Sequence, residues 1–228
     1  GQVETGKPFL VDTDKYRKTF LTLKEKYQKQ IKLIFGVELG LIPEVKPELS
    51  TYIEEYPFDF IIGSSHSVWQ KDIAHCKDYF FGQRTKKEAY QIYFEEVLRC
   101  IKLFDEFDVY GHLDYMMRYA DYADRKIYYL EFRDIIDEIL KALIHKNKGL
   151  EINTSGYRYN LELCHPGPEI LKRYKELGGE IITVGSDTHT AKGVCTHFKE
   201  AYAMLKKCGF SYMTLFEQRK PRFYPIKA

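Results

Sequence analysis

Apolar side chains along this chain follow two alternating patterns, a helical spacing and short runs of β-branched residues. The helical spacing predicts helices over residues 13–29, 47–55, 85–107, 127–146, 168–177 and 198–207. The short apolar runs predict strands over residues 32–39, 58–63, 109–113, 150–153, 180–185 and 211–216. Because strands and helices alternate, we expect parallel strands joined by right-handed crossovers. We therefore predict an α/β fold in one domain over residues 1–228, with a short loop before the first helix.

Polar residues with metal-binding side chains lie at the ends of four of the apolar runs. The local sequences are LIFGVE, FDFIIGSSH, DVYGHLD and IITVGSDTH, and they supply Glu38, His66, His112, Asp187 and His189. Because the ends of parallel strands meet at the same rim of an α/β fold, we expect these side chains to lie close together. Carboxylates and imidazoles are suitable ligands for Zn, Mn or Fe. The pattern therefore predicts a polynuclear metal site at one rim of a parallel β-barrel.

The spacing within these segments supports the same interpretation. Asp187 and His189 are two residues apart, so in an extended strand both side chains point to one face. A buried Glu38 without a cation would be unfavourable, and metal coordination would remove that cost. Asp114 lies two residues after His112 and fits either of two roles, metal ligand or hydrogen-bond partner of a ligand histidine. The remaining histidines lack this setting, and we expect them to be structural or on the surface: His75, His145, His165 and His197.

Candidate phosphate-binding residues follow another predicted strand, in the sequence INTSGYR. Arg158 carries a forked guanidinium that can grip a phosphate, and Ser155 adds a hydroxyl donor. Arg118, which follows GHLD, is a weaker candidate of the same kind. The alternative is an ordinary connection between strand and helix that carries a solvated arginine, and the local sequence leaves both readings open.

Composition limits the function classes that the chain can serve. There are 35 basic and 33 acidic residues, a near balance that argues against nonspecific nucleic-acid binding. No apolar stretch approaches the roughly 20 residues needed to span a membrane, and the first residues do not match a signal peptide. The five cysteines contain no CxxC pair and favour free thiols in a reducing compartment. We therefore expect a cytoplasmic protein with neither nucleic acid nor membrane as partner.

Two residue groups are expected at the surface. Tyr is abundant, at 19 residues, and most tyrosines are expected to cover the outer surfaces of helices. A solvated surface is also expected for the basic residues near the C-terminus: Arg219, Lys220, Arg222 and Lys227.

Several segments together resemble the polymerase and histidinol phosphatase (PHP) superfamily, and more narrowly its monofunctional histidinol-phosphatases. The matching pieces are GVELG, DFIIGSSH, YGHLDYMMRY, LEINTSGYR, PEILKRYKELGGEIITVGSDTH and GFSYMTLFEQRKPRFYPI. The resemblance implies a distorted seven-stranded (β/α) barrel with up to three divalent metal ions (Zn, Mn or Fe). It implies hydrolysis of a small phosphate ester, L-histidinol phosphate, in histidine biosynthesis. By position it implies a metal-bridging Glu38, the ligands His66, His112, Asp187 and His189, and a phosphate-holding Arg158.

The chain departs from the family pattern at its start. Family members open with a strand carrying His-x-His and a second strand that ends in another histidine, whereas no histidine precedes Glu38 here. We count five strands that feed the rim and one terminal strand, and therefore expect an N-terminally incomplete barrel that lacks its first two strands. Two alternatives remain: a phosphoesterase of the same superfamily acting on nucleotides or DNA ends, or a non-catalytic remnant that binds a ligand or partner.

The expected chemistry is metal-assisted hydrolysis of a phosphomonoester. Asp187 and His189 would take part through the metal ions, and Arg158 would stabilise charge on the phosphoryl group. Ser155 and Arg118 would help to bind the substrate. No Walker loop and no Cys-x5-Arg motif is present in the sequence, so we predict that no phospho-enzyme forms.

Overall fold

A computed structural model describes residues 11–227 of the protein. Its strands are β1 (Gly36–Gly40), β2 (Phe60–Ser64), β3 (Ser67–Val68), β4 (Lys71–Asp72), β5 (Val109–Tyr110), β6 (Gly149–Asn153), β7 (Ile182–Gly185), β8 (Tyr212–Glu217) and β9 (Lys220–Pro225). Its α-helices are α1 (Thr13–Tyr27), α2 (Lys46–Glu55), α3 (Lys77–Phe81), α4 (Lys86–Leu103), α5 (Arg133–His145), α6 (Pro168–Glu176) and α7 (Phe198–Lys207). The loop predicted before the first helix falls mainly outside the described residues.

Five strands form one parallel sheet in the order β1-β2-β5-β6-β7. Helices lie between these strands along the chain, so the predicted parallel α/β arrangement is confirmed, and the five parallel strands are those predicted to feed the rim. The terminal strand predicted over 211–216 is β8, which pairs with β9 in a separate antiparallel hairpin. The sequence pattern missed β9 because every residue in it is exposed, which removes the apolar alternation that marks a strand.

Some element boundaries differ from the sequence predictions. The helix predicted over 127–146 begins at Arg133, and a short 3-10 helix, Tyr129–Glu131, precedes it. The helix predicted over 85–107 begins as predicted but ends at Leu103. A capping box fixes its start: Thr85 accepts a hydrogen bond from the Glu88 backbone, and the Glu88 side chain accepts one from the Thr85 backbone. The short strands β3 and β4 and helix α3 were not predicted, because two to five residues are too few to show a period.

The core lies between the sheet and its helices and is rich in buried aromatic rings. Tyr90, Tyr93, Tyr110 and Tyr174 are among its largest fully buried side chains, so the expectation that tyrosines mostly cover helix surfaces is wrong for these positions. Burial of a tyrosine requires a partner for its hydroxyl. Tyr93 Oη donates to the Ser65 carbonyl at 3.1 Å, and Tyr174 Oη donates to the Ile181 carbonyl at 3.2 Å. These hydrogen bonds attach the helices to the sheet, and the tyrosine rings fill the core.

The structure also describes the state of the cysteines and the character of the helices. All five cysteines are free thiols, as predicted. Within residues 11–227, no helix has both the length and the apolar character needed to cross a membrane.

The turn between β8 and β9 is held to the sheet by an ion pair. Arg219 Nε lies 2.8 and 2.7 Å from the two carboxylate oxygens of buried Asp108, which also accepts a hydrogen bond from the Ile61 backbone. The expectation of a solvated surface is therefore wrong for Arg219, although Lys220, Arg222 and Lys227 are exposed. A guanidinium with a long stem can lie partly buried and still reach a carboxylate, a contact that a charge count does not reveal.

A second ion pair joins α5 to α6. Arg173 Nε and Nη2 donate to the two carboxylate oxygens of Asp137 at 2.8 and 2.6 Å, and Tyr129 Oη donates to the same carboxylate at 2.7 Å. The hydrogen bonds from Arg173 lower the pKa of Asp137 from 3.8 to about 2. The bidentate geometry makes this a directional contact between the two helices.

We predict that Arg173→Met reduces the pH dependence of stability in acid. A carboxyl group with a lowered pKa in the folded state contributes stability above its unfolded pKa, and that stability is lost as pH falls through the folded pKa. The wild type should therefore lose it between about pH 4 and pH 2, whereas the variant should lack it already at neutral pH. Urea unfolding at stepped pH measures this, with the exposed Arg133→Met as control. Equal slopes for wild type and Arg173→Met in that window would contradict the assignment.

Candidate functional site

Three metal-binding side chains meet at the carboxyl ends of adjacent strands. Glu38 lies within β1, His66 follows β2 by two residues, and His112 follows β5 by two residues. Glu38 Oε1 is 3.0 Å from His112 Nε2 and 3.3 Å from His66 Nε2, and the two Nε2 atoms are 3.2 Å apart. Parallel pairing produces this convergence, because it brings the ends of β1, β2 and β5 to one edge.

The spacing of these three donor atoms fits a divalent cation. A tetrahedral zinc ion with bonds of about 2.0–2.1 Å separates neighbouring ligand atoms by about 3.3 Å. The observed separations of 3.0 to 3.3 Å therefore outline one face of such a tetrahedron. Among residues 11–227, these three form the group of His, Cys, Asp and Glu side chains close enough to hold one ion. We call Glu38, His66 and His112 the three-donor cluster.

The electrostatics of the cluster favour the ligand forms of its side chains. Burial would raise the pKa of Glu38, but hydrogen bonds from His112 and His66 outweigh it and hold the pKa well below its usual range. Burial lowers the pKa of His112, against the opposing effect of Glu38. A carboxylate beside a neutral imidazole is the combination that binds a metal ion, because both ligands must be deprotonated.

The cluster is open to solvent on one side. The side chains of Glu38 and His66 are 35% and 33% exposed, whereas that of His112 is 2% exposed. The ring of Tyr115 backs both imidazoles, with its centroid 4.7 Å from that of His66 and 4.9 Å from that of His112. A ligand can therefore approach past Glu38 and His66, while His112 is held from behind.

The other two predicted ligands lie outside the three-donor cluster. The carboxylate of Asp187 accepts a hydrogen bond from Arg118 at 2.7 Å. His189 is 82% exposed, with its Nε2 atom 3.9 Å from Asp187 Oδ1. The roles of Asp187 and His189 as metal ligands thus stay predictions. Asp187 has a φ of +47° and His112 a φ of +23°, so a non-glycine residue holds an uncommon backbone conformation at both positions.

The predicted phosphate-binding residues converge on Asp187. Buried Arg118 donates through Nη2 to Ser155 Oγ at 2.6 Å as well as to Asp187. Arg158 donates to the backbone carbonyls of Ser186, at 2.6 Å, and of Asp187. Arg158 is exposed, yet its guanidinium is bonded to this loop, which differs from the freely solvated arginine of the alternative reading. Two guanidinium groups therefore lie beside one residue at this rim.

Asp114 has a partner that sequence reasoning did not identify. Its Oδ1 atom is 2.5 Å from His165 Nδ1, and both side chains are buried. Asp114 therefore pairs with His165, not with the neighbouring His112, and His165 has the structural role expected of it. Chain separation hid the pair, because its members are 51 positions apart in the sequence.

Sequence reasoning also missed Glu151. It lies in β6, is 4% exposed, and accepts hydrogen bonds from the His112 backbone and the Asn153 side chain. Burial, together with the charges of Glu38 and Asp187, raises the pKa of Glu151 to about 7. A signal was available: Glu151 lies between Leu150 and Ile152 in a predicted strand, and a carboxylate that is buried with such neighbours requires a polar partner.

Comparisons with known proteins agree with this geometry. The family described as PHP domain matches residues 9–155. A protein of Clostridium acetobutylicum named "Probable histidinol-phosphatase" is 35% identical over 215 residues, which are 94% of this chain and 81% of the relative. The histidinol-phosphatase of Lactococcus lactis is 33% identical over 215 residues, which are 94% of this chain and 79% of the relative.

A solved structure shows the same architecture. The crystal structure of the Lactococcus lactis histidinol phosphate phosphatase, complexed with zinc, L-histidinol and phosphate, matches with a TM-score of 0.87 at 33% identity. The match covers 95% of this chain and 82% of that chain. The PHP-type fold that the sequence predicts is therefore confirmed. Together the family match, the curated relatives and the shared architecture show that this chain belongs to the PHP family, in its histidinol-phosphatase branch.

Proposed function

We propose that this protein hydrolyses L-histidinol phosphate to L-histidinol and phosphate in a metal-dependent reaction. The observation that carries the proposal is the three-donor cluster, whose atoms are spaced as neighbouring ligands of one divalent ion. The Lactococcus lactis relative, with 33% identity over most of the chain, was crystallised with zinc, L-histidinol and phosphate, which indicates the substrate class. The cytoplasmic setting and the single domain over residues 1–228 stay predictions.

Glu38, His66 and His112 would hold the ion, which we propose to be Zn, Mn or Fe. Up to three ions are proposed, with Asp187 and His189 as further ligands. A divalent ion bound there would act as a Lewis acid toward phosphate oxygens and lower the pKa of a bound water. The donor set fits this role, because mixed imidazole and carboxylate ligands suit each of these metals.

Two arginines supply positive charge beside Asp187. Arg118 is fixed by Ser155 and Asp187, so its guanidinium is oriented before any substrate arrives. We propose that Arg158 holds the substrate phosphate and stabilises its equatorial oxygens and that Arg118 assists it, with buried Ser155 contributing by orienting Arg118. Preorganised donors lower the energy of a charged transition state because they need no rearrangement during the reaction.

Metal binding is the first test of the site. We predict that His112→Ala and His66→Ala each weaken Zn²⁺ affinity by more than about 100-fold, the upper end of what losing even an outer hydrogen-bond partner of a ligand costs. Competition with a chromophoric chelator measures the affinity. The control is His75→Ala, an exposed histidine bonded to Asp72 outside the three-donor cluster. Unchanged affinity in both cluster variants would show that the ion binds elsewhere.

Turnover decides between the proposed substrate and its rival. We predict that the metal-loaded protein releases phosphate from L-histidinol phosphate with kcat/KM at least about 100-fold above that for nucleoside monophosphates or DNA 3′-phosphate ends, a difference of about 2.7 kcal/mol. A phosphate-release assay over this panel, before and after chelator treatment, measures it. Faster turnover of nucleotides would favour a different PHP phosphoesterase, and no turnover of any ester would favour the non-catalytic alternative.

Two variants separate the possible roles of Asp187. If Asp187 binds metal, both Asp187→Ala and Asp187→Asn should lower bound metal and activity together, because the amide is a poor ligand. If its role is only to hold Arg118, Asp187→Asn should keep most activity, because the amide oxygen still accepts that hydrogen bond. Metal content of the purified variants, read beside kcat, distinguishes these outcomes. Retention of both metal and activity by Asp187→Ala would overturn the assignment.

A further inference from the structure

Glu151 occupies a space that two glycines leave for it. A Cβ atom built at Gly185 would lie 2.2 Å from Glu151 Oε1, and one built at Gly111 would lie 3.3 Å from Oε2. The first distance is shorter than any contact a real side chain makes. Gly185 lies in β7 and Gly111 directly follows β5, and these two strands flank β6 in the sheet. The sheet is thus shaped to admit a carboxylate at this point.

One hydrogen bond that this carboxylate accepts holds a predicted metal ligand in place. The backbone N–H of His112 donates to Glu151 Oε2 at 3.1 Å. His112 has a φ of +23°, a value that non-glycine residues rarely adopt and that surrounding contacts must maintain. Fixing this peptide fixes the direction of the His112 side chain, whose Nε2 atom belongs to the three-donor cluster.

A second bond begins a relay of hydrogen bonds toward Asp187. Asn153 Nδ2 donates to Glu151 Oε2 at 3.0 Å, and Asn153 Oδ1 accepts from Ser155 Oγ at 2.5 Å. Ser155 Oγ in turn accepts from Arg118 Nη2, whose other hydrogen goes to Asp187. From Arg118 through Ser155 and Asn153 the donated hydrogens run toward Glu151, whereas the bond between Arg118 and Asp187 runs the other way, from the guanidinium to the carboxylate. The side chains of Glu151, Asn153, Ser155 and Arg118 are buried, so water competes little for the bonds among them.

We propose that Glu151 is a positioning residue that locks His112 to the Arg118–Asp187 pair by way of Asn153 and Ser155. It acts by accepting hydrogen bonds and does not touch the substrate. Its hydrogen bonds thus link the metal-binding half of the rim to the half that carries the arginines. The activity readouts rest on the proposed function, whereas the metal-binding readout does not.

The test compares three variants on the full chain. Glu151→Gln keeps an oxygen that can accept both hydrogen bonds, whereas Glu151→Leu has similar volume and no acceptor. Thr183→Val is the matched control: Thr183 is the register partner of Glu151 in β7, and its buried hydroxyl has no hydrogen-bond partner among the described residues. Co²⁺ titration, with the visible absorption spectrum, reports on the metal site, and kcat and KM for L-histidinol phosphate report on turnover.

We expect Glu151→Leu to weaken Co²⁺ binding and lower kcat by about 10- to 100-fold each, the usual cost of losing a group that orients a ligand. Its Co²⁺ spectrum should change and KM should change little. Glu151→Gln should restore both quantities to within about threefold of wild type, and Thr183→Val should match wild type. If Glu151→Leu does not fold, Ser155→Ala breaks the relay at its centre. That variant should lower kcat and leave the Co²⁺ spectrum intact, because the bond between Glu151 and His112 remains.

Wild-type Co²⁺ affinity and spectrum in Glu151→Leu would overturn the proposal. An equal loss in Glu151→Gln and Glu151→Leu would also overturn it, because the negative charge and not the acceptor would then be needed. If Ser155→Ala is used in place of Glu151→Leu, an unchanged kcat would also overturn the proposal. A wild-type chain that shows these Co²⁺ effects but no turnover of L-histidinol phosphate would leave Glu151 as a positioning residue and refute only the proposed function.

Discussion

Parallel pairing in a fixed register is the constraint on which the site depends. Glu38 lies opposite Ile62 and Gly63 lies opposite Tyr110, so the ends of β1, β2 and β5 come out at one level. Adjacent strands are about 4.8 Å apart, a distance that carboxylate and imidazole side chains can bridge. A slip of one residue in β1 would turn Glu38 to the opposite face of the sheet and dismantle the three-donor cluster.

A concentration of negative charge follows from this convergence. Glu38 and Asp187 lie close enough to Glu151 to raise its pKa, and Arg118 is the buried guanidinium beside Asp187. Carboxylates gathered where water screens them only in part repel one another and are favoured in their ionised form by nearby cations. The hydrogen bonds from the two imidazoles meet part of that need at Glu38. A divalent ion would meet the rest, which gives the cluster a physical reason to bind one.

The sequence predicts those features of the site that depend on residues close together in the chain. The residues at the strand ends were visible because short apolar runs stop at them, and parallel strands bring such ends together. Contacts made across the chain were not visible: the Asp114–His165 pair, the Arg219–Asp108 ion pair and the glycine-lined space around Glu151. Each depends on which elements become neighbours in the sheet. Exposed β9 was missed for the opposite reason, because it buries no side chain that would mark it as a strand.

The fit between Gly185 and Glu151 has a consequence for how this protein can diverge. Any larger residue at position 185 would displace the carboxylate, since even a single methyl group would overlap it. Conversely, a shorter residue at position 151 would leave a polar hollow beside Gly185 and release the peptide of His112. A larger side chain at position 185 therefore requires a smaller or differently placed side chain at position 151. We therefore expect the residues at positions 151 and 185 to vary together among relatives, although they are 34 positions apart in the sequence.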